Sequence, residues 1–310
     1  MSSLQRIREE NSPYLQLIML LFYAILGAFI FTIIAFGILL IIYGTRLFSD
    51  LNLLMSGSEE YLPALRIILI FTQLGAFLAP PFFLSLTEGK AVNNFYGFAR
   101  PRLNLILIVI LTMIVAMPIL EWVTLINQNM VFPDFLKSVE SWMRAKEDEA
   151  MATTLLLLKM KSIKDLIINL FMIALIPGIA EELMFRGGVQ RTIDRIFKNT
   201  HVAIWVSAFI FSAIHVQFYG FLPRLLLGAG FGYLYFWSGS LWYSMLAHFI
   251  NNGYAVCVAY YMQQNNMPLD EVDNTAYFAW YGYIISFILV ILTFLYFKKQ
   301  TSKTKNIKHL

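Results

Sequence analysis

Residues 179–188 read IAEELMFRGG, which places two adjacent carboxylates, Glu181 and Glu182, and the guanidinium of Arg186 at the end of a long apolar segment. An ionisable side chain is costly in hydrocarbon, so it usually faces the interior of a helix bundle or a wet cavity and marks a functional site. On a helix Glu182 and Arg186 lie one turn apart and are predicted to pair, whereas Glu181 is turned about 100° away. The stretch therefore predicts a membrane helix in which Glu181 is free to act.

The face of Glu181 also carries Gly178, Phe185 and Gly188. Small residues at these spacings allow close approach by another helix or by a substrate backbone. A simpler interpretation remains open at this point, in which Glu182 and Arg186 form an internal ion pair and Glu181 faces cytoplasmic water.

Composition defines the class of protein. Of 310 residues 59% are hydrophobic and 14% are charged, and such a chain is not expected to be soluble. We therefore predict an all-α polytopic membrane protein with about eight transmembrane helices and an active site in the bundle interior. The net charge of +4 sits beside the predicted spans and in the tail, so it indicates topology rather than nucleic-acid binding. Cys257 lies in an apolar run and is predicted to be buried.

The apolar runs define one transmembrane domain, residues 14–297, between a polar lead, residues 1–13, and a basic tail, residues 298–310. Pro80-Pro81 and Pro177 are predicted to bend the second and fourth runs. The catalytic core is expected at about 165–260. The runs cover residues 14–43, 62–86, 103–127, 163–190, 201–219, 221–237, 240–262 and 276–297.

Basic residues set the predicted orientation, since cytoplasmic loops carry an excess of lysine and arginine. Both termini are therefore predicted to be cytoplasmic, in a multi-pass protein of the cell (inner or plasma) membrane, and the last external loop is acidic at Asp270, Glu271 and Asp273. The site is expected to open toward the cytoplasm. The basic residues are Lys90, Arg100, Arg102, Arg191, Arg195, Lys198, Lys298, Lys299, Lys303, Lys305 and Lys308.

The loop at residues 128–162 contains an amphipathic stretch, with Phe135, Val139 and Trp142 on one side and Lys137 and Arg144 on the other. This pattern predicts an external helix at about 132–150 that lies in the membrane interface. It is either a simple connector or a lid beside the site.

Two histidines lie inside predicted spans. His215 follows Phe211 by one turn, and Asn252 follows His248 by one turn, so each pair shares a helix face. A lone histidine in a membrane helix often only bonds a neighbouring helix. With the face of Glu181 there are polar faces on three helices, and these are harder to explain in that way.

Peptide hydrolysis needs a base for water and donors for the oxygen that becomes negative. Glu181 with His215 can activate the water, and His248 with Asn252 can donate to the oxyanion. Alternatively, Glu181, His215 and His248 can bind zinc with one open position. Sequence spacing does not separate these two arrangements.

Motifs of other chemistries are missing from the sequence. There is neither a His-Glu-x-x-His nor a Gly-x-Ser-x-Gly motif. The glycines in residues 228–232, GAGFG, lie in an apolar run without a P-loop lysine and predict a helix-packing face.

Three motifs in order resemble those of the CAAX protease and bacteriocin-processing (CPBP) family, the Abi or Rce1-like intramembrane proteases. They are Glu181-Glu182-x-x-x-Arg186, Phe211-x-x-x-His215 and His248-x-x-x-Asn252. The resemblance implies that Glu181 and His215 activate water, that His248 and Asn252 hold the oxyanion, and that Glu182, Arg186 and Phe211 support them. It favours a glutamate-type protease that requires no cofactor, with the zinc-dependent version as the alternative.

The expected partners are a membrane-associated peptide or protein substrate and the lipid bilayer, with no nucleic acid. The resemblance associates bacterial relatives with bacteriocin-like peptides, but no residue identifies a peptide. Two other classes of function remain open. One is a non-proteolytic bacteriocin-immunity or scaffold protein with the same fold, and the other is a transporter in which Glu181 and the histidines relay protons.

Overall fold

The computed structural model describes residues 9–55, 58–269 and 278–307. The described part is all-α apart from an isolated β-bridge between Phe98 and Ser240. Its long helices are α1 (Pro13–Tyr43), α2 (Glu59–Thr87), α3 (Leu103–Gln128), α4 (Lys137–Leu157), α5 (Ile163–Phe197), α6 (Thr200–Ala213), α7 (Phe221–Ser238), α8 (Leu241–Gln264) and α9 (Trp280–Ile307).

In the described residues each of the eight predicted apolar runs is mainly helical, so the prediction of an all-α polytopic membrane protein is confirmed. Among the described residues, α1, α2, α3, α5 and α9 are long and apolar enough to cross a membrane. Helix α6 is apolar but has only 14 residues, and α7 and α8 are less uniformly apolar. These three helices pack among the others and bring their polar side chains into the bundle.

Prolines interrupt α2 and α5 where the sequence predicted. Because proline lacks an N–H and its ring displaces the preceding turn, regular α-helical bonding fails just before it. A π-helical segment, Leu74–Leu78, precedes Pro80-Pro81, and another, Leu170–Leu175, precedes Pro177. Such wide turns are frequent at functional sites. Here the first directly follows Gln73, and a further π-helical segment, Leu183–Gln190, directly follows Glu182.

Glycines let the helices approach closely, as the sequence predicted. A Cβ added at Gly178 would lie 3.3 Å from the backbone of Met245 in α8, and one at Gly27 in α1 would collide with the carbonyl oxygen of Gly75 in α2. The glycines of residues 228–232 also form a packing face, since a Cβ at Gly228 would lie 3.2 Å from the side chain of Ala208. Helix pairs α1 with α2 and α5 with α8 are therefore fixed by backbone contact.

The bundle has two polar ends. At the first, which we call the basic end, Arg191 bonds Glu10 at 2.7 Å and Arg195 pairs with the same carboxylate at 3.1 Å. At the other, the α4 end, Glu59 pairs with Lys159 at 3.1 Å. Helices α1 and α5 run from one end to the other.

Helix α4 covers the stretch in which an interfacial helix was predicted at about 132–150. It begins after a 3-10 turn at Asp134–Leu136 and continues to Leu157 rather than ending near residue 150. It has no buried residue. Its aromatic Trp142 contacts Phe218, in the turn that follows His215, with ring centroids 5.3 Å apart. The helix therefore lies against the segment that carries a predicted site residue.

Cys257 is exposed on the bundle surface, so the prediction that it is buried was wrong. An apolar run predicts burial in protein or in lipid equally well, because both surroundings are apolar. The acidic residues Asp270, Glu271 and Asp273, the lead before residue 9 and the last residues of the basic tail lie outside the described residues.

Candidate active site

Glu181 lies in the bundle interior, where it is only 7% exposed. Its Oε1 accepts a hydrogen bond of 2.7 Å from Nε2 of Gln73 in α2. Its Oε2 lies 3.9 Å from Nε2 of His248 in α8, which is too long for a hydrogen bond. Three helices thus converge on one carboxylate, and Oε2 keeps room for a further partner.

Glu182 joins Arg186 to His248. Its Oε2 lies 3.1 Å from Nε of Arg186, and its Oε1 lies 3.0 Å from Nδ1 of His248. Both Glu182 and Arg186 are 0% exposed. The ion pair predicted from their spacing is therefore present, and it also orients the imidazole of His248.

Aromatic rings enclose this charged cluster. The guanidinium carbon of Arg186 lies 4.8 Å from the ring centroid of Phe211 and 5.7 Å from that of Phe231. The ring of Phe231 also stacks on His248 at 5.4 Å with 23° between the planes. Rings at these distances attract a cation and exclude water, so they strengthen the electrostatic interactions of the cluster.

His215 follows the end of α6, where its Nδ1 lies 2.8 Å from the carbonyl oxygen of Phe211. Since a carbonyl only accepts, Nδ1 carries the proton, and Nε2 of the neutral ring is an acceptor. The Phe211 ring separates the two histidines, with edge contacts to His215 at 5.2 Å and to His248 at 5.9 Å. His215 is thereby fixed with its basic nitrogen away from the backbone.

Val216, directly after His215, has a φ of 54°. A β-branched residue rarely adopts the left-handed region, and such strain tends to occur at functional sites. The turn it forms ends α6 early and leads into the 3-10 turn Phe218–Gly220. The sequence prediction that the fifth run continues to residue 219 missed this turn.

Asn252 is held by a carbonyl group that a proline exposes. Nδ2 of Asn252 donates a hydrogen bond of 2.9 Å to the carbonyl oxygen of Ile173, and Oδ1 accepts one of 3.1 Å from Asn251. Pro177 is four residues after Ile173 and has no N–H to give to that carbonyl. The second N–H of the Asn252 amide remains as a donor.

The structure brings Glu181, Glu182, Arg186, Phe211 and His248 into one cluster. The remaining predicted residues, His215 and Asn252, lie at its borders: the first touches the Phe211 ring and the second is one turn beyond His248.

Glu181, His215 and His248 are the predicted ligands of the zinc alternative. In the part of the chain that the structure describes, no three His, Cys, Asp or Glu side chains are grouped so as to hold a metal ion. Nδ1 of His248 is bonded to Glu182 and Nδ1 of His215 to a carbonyl, which leaves the Nε2 atom of each ring for the site, as is also usual in histidines that bind a metal.

Sequence reasoning missed two residues of the cluster, Gln73 and Phe231. Gln73 is an amide inside an apolar run, seven residues before Pro80, and this combination was the available signal. Nothing in the sequence distinguishes Phe231 from the many other phenylalanines of the spans.

An open groove of about 560 Å³ lies beside His215 at the α4 end. The prediction placed the mouth of the site on the same side as the termini, but α1 begins and α9 ends at the opposite, basic end. If both termini are cytoplasmic, this groove opens on the opposite side of the membrane, so the two predictions cannot both hold for a site that opens through the groove. The groove is lined by Lys146, Glu149, Ala150, Thr153, Thr154, His215, Val216 and Gln217.

Comparison with known proteins shows a family likeness in the segment that carries Glu181, His215, His248 and Asn252. Residues 163–254 match the family model described as type II CAAX prenyl endopeptidase Rce1-like. The resemblance predicted from the three motifs is thus confirmed over this segment.

A curated relative, the uncharacterized protein YpbD of Bacillus subtilis (strain 168), is 30% identical over 93 residues. The aligned residues make up 29% of this chain and 44% of YpbD, so the chain spans less than half the length of this relative. No solved structure matches the chain significantly.

Proposed function

We propose that this protein is an intramembrane endopeptidase that hydrolyses a peptide bond of a membrane-associated protein or peptide. The observation that carries the proposal is the buried Glu181 carboxylate, whose Oε1 is fixed by Gln73 while Oε2 faces His248. A carboxylate anchored on one oxygen and open on the other suits a general base. The match of residues 163–254 to an endopeptidase family supports the same reaction.

In the proposed mechanism Glu181, assisted by Nε2 of His215, takes a proton from a water molecule as its oxygen attacks the carbonyl carbon of the scissile bond. The peptide C–N bond then breaks as the tetrahedral intermediate collapses, and Glu181 returns the proton to the departing amine nitrogen. Removal of one base of this kind typically costs about 10²- to 10⁴-fold in rate.

The developing oxyanion receives hydrogen bonds from Nε2 of His248 and from the second N–H of Asn252. Since Nδ1 of His248 donates to the Glu182 carboxylate, Nε2 donates only when the ring is protonated. Two carboxylates and one guanidinium lie beside this ring, and an imidazolium makes the cluster neutral. Donors fixed before the reaction are worth about 3 kcal/mol each when removed.

The location and the topology of the protein are part of the proposed function. We place it in the cell membrane as one multi-pass domain with both termini in the cytoplasm. We also propose that the hydrolysis requires no cofactor and that Glu181 and His215 together activate the water.

The test compares new peptide termini, by mass spectrometry, in membranes that contain the wild type or Glu181→Gln at matched abundance. The control is Glu121→Gln, a carboxylate in α3 that accepts a bond of 2.9 Å from Tyr283 away from the site. We expect termini that require Glu181 and persist in the control. Identical termini in all three membranes would favour the non-proteolytic immunity or scaffold function instead.

A further inference from the structure

The groove at the α4 end has walls of different kinds. One wall is the face of α4 with Ala150, Thr153 and Thr154, and the other is the strained turn with His215, Val216 and Gln217. His215 therefore belongs both to the candidate site and to the groove. A polymer bound in the groove from outside the bundle can therefore contact that histidine.

The chemistry of the lining is polar and close to neutral. Lys146 and Glu149 pair at 2.7 Å at the rim, so neither leaves a net charge there. The hydroxyls of Thr153 and Thr154 donate to carbonyls of their own helix and keep lone pairs toward the groove. Such a surface offers hydrogen bonds to a peptide backbone without favouring an acidic or a basic sequence.

The wall formed by the turn is rigid. The side chain of Arg224 donates to Oε1 of Gln217 at 2.9 Å and to the Gln217 carbonyl at 3.3 Å. Glu147 of α4 accepts a bond of 3.2 Å from the backbone N–H of Tyr219, and the guanidinium of Arg144 lies 4.5 Å from the Tyr219 ring centroid. Helix α4 is thus bound to the turn at several points, and the groove is held open between them.

The position of the groove relative to the membrane follows from α4. This helix has no buried residue and carries its charged side chains between Lys137 and Glu149, so this part of it lies in the interface rather than in the hydrocarbon. A segment bound between α4 and His215 is therefore outside the apolar core of the membrane.

We propose that this groove binds the substrate as an extended, polar peptide segment that adjoins a membrane span at the α4 end, and that it delivers this segment to His215. The inference rests on the proposed endopeptidase function and adds to it the substrate class and the direction of entry. A substrate cleaved within its apolar transmembrane core does not fit this surface, since the lining offers hydrogen bonds where such a helix has none to make.

The first test fills the groove. Ala150→Trp places an indole between the walls, whereas Ala152→Trp places the same group on the exposed face of α4, outside the lining residues. The assay follows the substrate identified by its Glu181-dependent termini. We expect Ala150→Trp to lower the cleavage rate about tenfold or more, because the substrate is misplaced, and Ala152→Trp to stay within about twofold of the wild type.

The second test identifies what occupies the groove. The photoreactive p-benzoylphenylalanine is placed at Thr153 or, as a control, at Ala152, in the Glu181→Gln protein so that uncut substrate remains bound. We expect crosslinks from Thr153 to polar segments next to the spans of those proteins whose termini depend on Glu181, and few from Ala152.

The outcomes separate the two proposals. Glu181-dependent termini combined with full activity of Ala150→Trp, or with crosslinks to the apolar core of the substrate, would overturn the groove inference and leave the endopeptidase intact. Absence of such termini refutes the proposed function itself, and the groove inference falls with it.

Discussion

The side-chain amide of Asn252 bonds the carbonyl oxygen of Ile173 at 2.9 Å, and that carbonyl lies one helical turn before Pro177. A proline in α5 thus orients a donor in α8. The ring that bends the helix also removes the N–H that would otherwise compete for the Ile173 carbonyl. Backbone irregularity in one helix thereby positions a side chain of another.

Pro177→Ala restores this N–H, and we expect Asn252 to lose its fixed orientation. The cleavage rate should fall about tenfold or more, as expected for a weakened oxyanion donor, while the protein remains folded. The matched control is Pro118→Ala, which removes a proline inside α3. Turnover of the identified substrate measures the effect, and equal rates for the two variants would show that Pro177 does not act through Asn252.

Gln73 is expected to be a positioning residue for Glu181. Gln73→Leu removes the hydrogen bond to Oε1 but keeps a side chain of similar size. We expect kcat to fall about tenfold or more, because the base is less well aligned, with KM nearly unchanged and with an altered pH profile.

The neighbouring Thr72 provides the control for Gln73. Thr72 lies in α2 beside Gln73, and Thr72→Val removes a hydrogen bond of 3.1 Å to Thr32 in α1, away from the site. An equal loss of kcat in Thr72→Val would attribute the effect of Gln73→Leu to general disturbance of α2.

Relief of strain at Val216 should improve stability at the expense of activity. A non-glycine residue in the left-handed region costs roughly 1–2 kcal/mol, so we expect Val216→Gly to unfold no more easily than the wild type. The cleavage rate should nevertheless fall severalfold, since the flexible turn fixes His215 less well. Asn266→Gly, which relieves a φ of 54° beyond the end of α8, should leave the rate unchanged.

Removal of one partner from the buried ion pair should destabilise the bundle. Arg186→Met leaves the Glu182 carboxylate without its guanidinium in a site that is 0% exposed, and loss of one member of a buried pair costs about 3–5 kcal/mol. Glu182→Gln combined with Arg186→Met should restore part of this loss. Equilibrium unfolding in mixed micelles provides the measurement, with the exposed Lys137→Met as a control that should have no effect.

The contact of Glu10 with Arg191 and Arg195 should make stability depend on pH. Burial raises the pKa of Glu10, but the hydrogen bond and charge of Arg191 and the charge of Arg195 outweigh it, so the pKa lies below its ordinary value of 4.5. A lowered folded-state pKa stabilises the fold above the unfolded pKa, and this contribution disappears as the pH falls through the folded pKa.

We therefore expect Glu10→Gln to lower Tm at pH 7 and to match the wild type in acid once the pH lies below the folded-state pKa of Glu10. Glu9→Gln, at the exposed neighbouring residue, is the control. A difference in Tm between Glu10→Gln and the wild type that persists unchanged in acid would contradict the assignment.

The sequence predicted most of what depends on local pattern. In the described part of the chain, apolar runs located each of the five helices that are long and apolar enough to cross a membrane. Helical spacing predicted both the pairing of Glu182 with Arg186 and the common face of Phe211 and His215. The length of an apolar run and the spacing of residues along a helix can both be read from the chain itself, so no tertiary information was needed.

Features that arise between helices were not predictable in this way. The approach of Gln73 to Glu181 joins residues 108 positions apart, and the early end of α6 depends on a strained turn that packs against α4. The exposure of Cys257 depends on which face of α8 meets lipid, and an unbroken apolar run does not reveal this.

The backbone contact of Gly27 with Gly75 has a consequence for how widely the catalytic unit extends. Residues 163–254 carry the family likeness, but the amide that steadies the base belongs to α2, two residues before the glycine against which α1 is seated. If the matched segment were grafted into another membrane protein, it would carry Glu181, the proposed base, but not Gln73, which orients it. Substitution at Gly27, far from the proposed catalytic residues, should accordingly appear as lost turnover. The first two helices then belong to the proposed catalytic unit as much as the motifs do.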